Sequence, residues 1–219
     1  RRLGSHQVRL HDDERGEITG TRFAVWAPNA QAVRLNADFN WWTGDAMSLV
    51  PGSGVWAIFV EGVGDGALYK YNILGADGVW REKVDPMAFF AEKAPANSSI
   101  VYTSQYEWAD DEWMTKRTET QPHAAPMSVY EVHLGSWQRD EHGEFLSYAG
   151  VADRLIAHVR ALGFTHVEFM PLTEHPFYGS WGYQTVSYYA PSARFGRPQQ
   201  LMHLIDRLHQ AGIGVILDW

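Results

Sequence analysis

Between about Thr21 and Tyr106, apolar and polar residues alternate in short runs that Gly and Asp interrupt. Thr21 to Trp26 (TRFAVW) alternates and ends in the turn Ala27-Pro28-Asn29-Ala30. Ala32 to Asn36 alternates again. Gly52-Ser53-Gly54 leads into Val55 to Val60, Gly64-Asp65-Gly66 into Leu68 to Ile73, and Ala76-Asp77-Gly78 into Val79-Trp80. Short period-two runs at regular spacing predict an all-β sandwich. From Glu107 to Pro126 the chain turns polar, which predicts a connector with a short helical turn over Asp110 to Arg117. After Met127 the period changes. Ser128 to Leu134 predicts a strand. Tyr148 to Leu162 predicts an amphipathic helix with Val151, Leu155, Ile156, Val159 and Leu162 on one face and Gly163 as its stop. Thr165 to Met170 predicts a second strand, and Pro198 to Ala211 a second helix, with Pro198 in its first turn. Ile213 to Leu217, continuously apolar, predicts a parallel strand covered on both sides.

The fold expected is therefore multidomain, β followed by α/β. An immunoglobulin-like sandwich spans 1–106, a linker 107–126, and a β-α-β-α-β unit 127–219. One connection is long. It runs from Pro171 to about Arg197, against typical connections of roughly 2–6 residues. In parallel β/α folds, such loops leave the carboxyl ends of strands and carry the site. This one holds Glu174, His175, Phe177, Tyr178, Trp181, Tyr183, Gln184, Tyr188 and Tyr189.

Composition narrows the chemistry. Ten Trp, ten Tyr and ten Phe make 14% of the 219 residues aromatic, and flat rings both pack cores and stack on sugars. A formal net charge of −8 argues against a general nucleic-acid binder. The absence of cysteine removes disulfides, thiol nucleophiles and Cys-based metal sites, and fits a cytoplasmic location. No apolar run approaches the roughly 20 residues of a membrane span. The ten histidines form no HExxH, and His203 and His209 read as surface residues.

Several segments resemble glycogen (1,4-α-glucan) branching enzymes of the α-amylase superfamily. Ser128 to Trp137 (SVYEVHLGSW) is similar to their first barrel strand. Thr165 to Phe177 is similar to the second strand and its loop, Gly179 to Gln184 (GSWGYQ) to a following segment, and Ala211 to Trp219 (AGIGVILDW) to the third strand. Phe23 to Ala30 and Asp38 to Trp42 resemble the family's carbohydrate-binding module, with Ala37 where the family usually has glycine.

The resemblance implies a retaining transglycosidase on a (β/α)8 TIM barrel that cuts α-1,4 links and makes α-1,6 branches in glycogen. Its nucleophile Asp and acid/base Glu are expected about 5–5.5 Å apart. Both belong to later conserved regions, so this chain is expected to be an inactive N-terminal fragment holding the first three strands and two helices of an incomplete barrel. No cofactor and no metal are implied. The partner implied is α-glucan (glycogen, amylose), with no nucleic acid, no membrane, and a monomer at full length. Tyr183 matches the tyrosine that stacks on the sugar at the cleavage subsite. Asp218 matches the first-region Asp, and Gln184 shares hydrogen bonding to substrate. Trp42, Lys70 and Trp80 match the two tryptophans and lysine with which the similar module of AMP-activated kinase beta subunits binds glycogen. Alternatives are a maltooligosyltrehalose trehalohydrolase, a debranching-type hydrolase, or a non-catalytic glycan-binding protein. HLGSW and GSWGYQ favour branching. An unclosed barrel is also expected to leave its third strand as an aggregation-prone edge.

Overall fold

A computed structural model describes residues 3–120 and 124–219. By their internal contacts these form two compact units. One comprises residues up to 103 together with 186–190, and the other comprises 104–185 and 191–219.

The first unit is a two-sheet sandwich. One antiparallel sheet has the order β1-β2-β6-β5, from Gly4–Asp12 (β1), Gly16–Trp26 (β2), Ser48–Val50 (β5) and Val55–Glu61 (β6). The other has the order β4-β3-β7-β8, from Ala32–Ala37 (β3), Asp45–Ala46 (β4), Leu68–Leu74 (β7) and Trp80–Lys83 (β8), with Ser99–Ile100 (β9) also pairing with β7. Alternation assigns the faces. Val33, Leu35 and Ala37 of β3 point into the core with Tyr69 and Tyr71 of β7 and Phe23 and Val25 of β2. Phe23 meets Tyr69 edge-on at 4.9 Å between centroids. Each such burial stabilises the fold by roughly 1.5–3 kcal/mol. Two buried tyrosines need partners for their hydroxyls. Both donate to Asp85 Oδ2, Tyr69 at 2.6 Å and Tyr71 at 3.3 Å. Burial pushes the Asp85 carboxyl up, although the bonds from Tyr69, the Met87 N–H and Tyr71 oppose this.

Four of the strands fall where alternation places them. Strand β1 does not follow from the pattern. Its side chains are mostly polar and solvent-facing, and main-chain pairing from Gly4↔Ala24 to Asp12↔Gly16 holds it. The same pairing starts β2 at Gly16, five residues before the alternating run. Ala37 has φ −155, extended backbone that alanine adopts without strain.

The second unit carries a parallel sheet of order β10-β11-β14, from Val129–Val132 (β10), His166–Phe169 (β11) and Gly214–Leu217 (β14). Val129, His166 and Gly214 stand in one register. Strand β10 is shorter than the apolar run, because the His133 carbonyl accepts the Ser136 and Trp137 N–H groups and turns Leu134–Trp137 into a helical turn (α2, after α1 over Asp111–Glu119). Helix α3 occupies Tyr148–Leu162. Ser147 Oγ accepts the Gly150 N–H at its start, and Gly163 in the left-handed region ends it. Helix α4 covers Pro198–Gln210. Leu155 and Val159 of α3 and Leu204 and Leu208 of α4 pack with Val132, Val167 and Phe169 in one core. Strand β14 lies at the sheet's edge with Leu217 half exposed, so its apolar run is not covered on both sides.

The segment 104–119 packs against α4. Tyr106 Oη donates to Asp206 Oδ2 at 2.6 Å. His209 Nδ1 lies 2.7 Å from Asp110 Oδ2, and its ring stacks on Trp113 at 5.1 Å. This corrects the surface reading of His209, which is largely buried as part of a helix–helix clasp.

Candidate functional site

Two groups of side chains meet the sequence's candidates, one in each unit. In the second unit, the three parallel strands end side by side at His133, Met170 and Asp218. The Met170 N–H bonds the Val132 carbonyl at 3.1 Å, and the Asp218 N–H bonds the Phe169 carbonyl at 2.9 Å. Between β11 and α4 the long connection carries Thr173–Glu174 (β12), Ser187–Pro191 (β13) and a 3-10 turn over Tyr178–Ser180.

An ion pair ties this connection down. Arg194 Nη1 lies 2.6 Å from Glu174 Oε1, with side chains 7% and 5% exposed. Glu174 also accepts the His175 and Ala193 N–H groups at 3.0 and 2.6 Å. With the Ser192 hydroxyl, which donates at 3.4 Å, its four polar contacts are structural, so Glu174 is spent on the loop rather than offered to a ligand. At the tip, Trp181 and Gly182 take positive φ, 56° and 99°. A Cβ on Gly182 would stand 2.4 Å from the Pro171 carbonyl oxygen, so glycine alone permits this approach.

That approach brings Tyr183 to Asp218. The Tyr183 hydroxyl donates to Asp218 Oδ2 at 2.5 Å, although 35 positions separate them. The bond to Asp218 pushes the phenol up to about 12, with lesser contributions from burial and from the Asp218, Glu131 and Glu168 charges. Tyr183 therefore stays protonated at neutral pH, with half its surface open to solvent. Gln184 is exposed, and its main-chain N–H donates to Ser180 Oγ at 3.4 Å.

The structure adds His133, which sequence reading passed over. Its ring lies 5.8 Å from Tyr178 and 6.2 Å from Trp181. Its Nδ1 is 2.7 Å from Ser136 Oγ. Burial lowers its pKa, helped by His175 and Arg139. The signal was its place directly after β10. Tyr188 and Tyr189, read with the same aromatic group, lie in segment 186–190 of the first unit.

In the first unit, the outward face of the second sheet gathers the module candidates. Opposite residues of an antiparallel pair share a face. Trp80 stands opposite Leu74, Glu82 opposite Asn72, Asn72 opposite Arg34, and Lys70 opposite Asn36. Trp42 is on the turn after β3. Its N–H donates to the Ala37 carbonyl at 2.8 Å, and φ is 60°. Both tryptophans are surface residues, 40% and 39% exposed. Lys70 Nζ donates to Glu82 Oε1 at 2.8 Å. Arg34, Asn36, Asn72 and Glu82 were missed. Period two places them on this face, but composition alone makes them ordinary solvated residues.

Among the described residues no group of three His, Cys, Asp or Glu side chains could hold a metal ion. No helix there is long and apolar enough to cross a membrane.

Comparison with known proteins follows this division. Residues 2–88 match carbohydrate-binding module 48 (isoamylase N-terminal domain). A solved structure of a putative alpha amylase from Salmonella typhimurium superposes with a TM-score of 0.73 at 25% identity, covering 99% of this chain and 32% of that one. The chain thus joins this module to a fold like part of an alpha amylase. Among curated proteins it is 63% identical over its whole length to a 1,4-alpha-glucan branching enzyme of Cutibacterium acnes, covering 33% of that protein. It is 55% identical over 93% of its length to the one of Leifsonia xyli, covering 27%. Along its length it is thus similar to part of 1,4-alpha-glucan branching enzymes. The chain spans about a third of the length of the curated relatives it matches.

Proposed function

We propose that this chain is the glucan-holding part of a 1,4-α-glucan branching enzyme. The observation that carries this is the Tyr183–Asp218 bond at the carboxyl ends of the parallel strands, in a chain 63% identical throughout to a branching enzyme. In this reading β10, β11 and β14 are the first three strands of a (β/α)8 barrel, whose loops at that end carry the chemistry. Tyr183 stacks its ring on the glucosyl unit being transferred, and Asp218 fixes the ring's orientation through the hydroxyl. Gln184, exposed beside them, hydrogen-bonds substrate hydroxyls. The nucleophile and the acid/base carboxylate come from other segments of the longer enzyme. In the first unit, Trp42, Trp80 and Lys70 form a platform for α-glucan, with ring faces against sugar faces.

The test is a pair of measurements on the 219-residue chain. Retention on amylose gel is expected, along with no change in the iodine stain of amylose and no new α-1,6 linkages. In the full-length enzyme, Tyr183→Phe is expected to lower branch formation at least tenfold with little change in unfolding temperature. Branching by the 219-residue chain alone, or full activity of Tyr183→Phe, defeats the proposal.

A further inference from the structure

The outward face of the β4-β3-β7-β8 sheet has a cation at its centre that the two tryptophans and the lysine do not account for. Arg34 stands in the middle row of this face, opposite Ala46 on one side and Asn72 on the other. Its guanidinium carbon lies 4.8 Å from the centroid of the Trp80 ring, one row along and two strands over. Its stem underlies the turn that carries Trp42. A Cβ built on Gly44 would stand 3.3 Å from both Arg34 Cβ and Cδ. The side chain thus bridges from the Trp42 turn to Trp80.

The neighbouring cations are committed to carboxylates. Lys70 is held by Glu82 at 2.8 Å, and Arg81 by Asp77 at 2.6 Å. Among the described residues no carboxylate pairs with Arg34. A guanidinium carries five N–H donors in a planar fork, and stacking on an aromatic face uses none of them. The flanking groups are the amides Asn36 and Asn72 and the ring of Trp80, with Trp42 exposed on the turn beside the stem. A ligand suited to this surface is uncharged, dense in hydroxyls, and flat and apolar on its ring faces. A glucosyl chain meets all three conditions.

We propose that Arg34 is a ligand-contacting residue of this face, donating its guanidinium N–H groups to hydroxyls of the glucosyl unit next to the one that packs against Trp80. The stacking presets the ring and the fork together, so little rotamer freedom is lost on binding. The inference rests on the reading of this face as a glucan platform, and the experiment separates the two.

Maltoheptaose is titrated into the 219-residue chain by calorimetry, with Trp80→Ala, Trp42→Ala, Arg34→Ala, Arg34→Met and Arg34→Lys alongside. Far-ultraviolet circular dichroism and the thermal unfolding midpoint check that each variant keeps the parent fold. Arg34→Met keeps an unbranched stem over the ring and removes only the donors. Arg34→Ala and Arg34→Met are both expected to weaken binding roughly tenfold, as the loss of charge-assisted hydrogen bonds implies. Arg34→Lys, which keeps the charge but not the fork, is expected to fall between them and the parent. If Arg34→Met binds as tightly as the parent while Trp80→Ala is weak, the platform stands and the role of Arg34 is overturned. If the parent shows no binding, or both tryptophan variants bind like the parent, the platform falls and Arg34 falls with it.

Discussion

Single buried groups set the sharpest local demands. Asp85 accepts hydrogen bonds from Tyr69 and Tyr71 inside a core with no water-facing alternative, and from the part-buried Met87 N–H. Asp85→Ala leaves these donors unpaired, and each orphaned donor costs about 1–3 kcal/mol. The expected outcome is a loss of about 3 kcal/mol or more in urea unfolding of the first unit. A smaller loss than 1 kcal/mol rejects the network. His133 gives a pH dependence of definite sign. Burial first, then the His175 and Arg139 charges, lowers its folded pKa below the unfolded value of about 6.5. The neutral ring is favoured in the fold. Its contribution is therefore full above about pH 6.5 and is lost as pH falls through the lower, folded value. The unfolding midpoint of His133→Gln is expected to drop less than the parent's between pH 7.5 and 5, and equal slopes refute this. Tyr183 and Asp218 were legible as residues through the segments that contain them. Their bond to each other was not, because it depends on a parallel register and on Gly182 meeting Pro171. Arg34 was illegible for another reason, since an outward cation on a strand looks the same with or without a ring beneath it.

Elements were readable where they carry their own stop signals. Helix α3 has Ser147 before it, a single apolar face within it and Gly163 after it, and its ends match the sequence reading. Strand β1 has neither alternation nor an apolar face, and only its pairing with β2 defines it. The loop after β11 could be recognised as long but not as fixed. What fixes it is the Glu174–Arg194 pair, twenty positions apart and nearly solvent-free. Removing one partner of a buried pair strands the other charge and costs about 3–5 kcal/mol. Arg194→Met is expected to lose that much in denaturant unfolding of the second unit. Glu174→Gln combined with Arg194→Met is expected to recover most of it. A double variant no better than the single one contradicts this view of the pair.

At the scale of the molecule, the sandwich and the parallel sheet meet water differently. The first closes its core between two sheets. The second leaves β14 at an edge, with Ile216 part-buried and Leu217 half exposed. An apolar edge invites pairing with another copy, and a charge on it discourages this. Leu217→Lys is expected to slow aggregation of the 219-residue chain, followed by light scattering at constant protein concentration. Unchanged kinetics mean that the edge is not the seed. The parallel order of β10 and β11 has a temporal side as well. Their pairing joins Ser128 to Thr165, 37 positions later. At about 5–20 residues per second of synthesis, β10 waits roughly 2–7 s at the ribosome before its neighbour has even been made. Hairpin β1-β2 closes across a turn of three residues and has no such interval. Strand β3 waits as long for β7, with Ala32 opposite Leu74, so each half of the chain holds a strand that a nascent-chain chaperone has reason to shield.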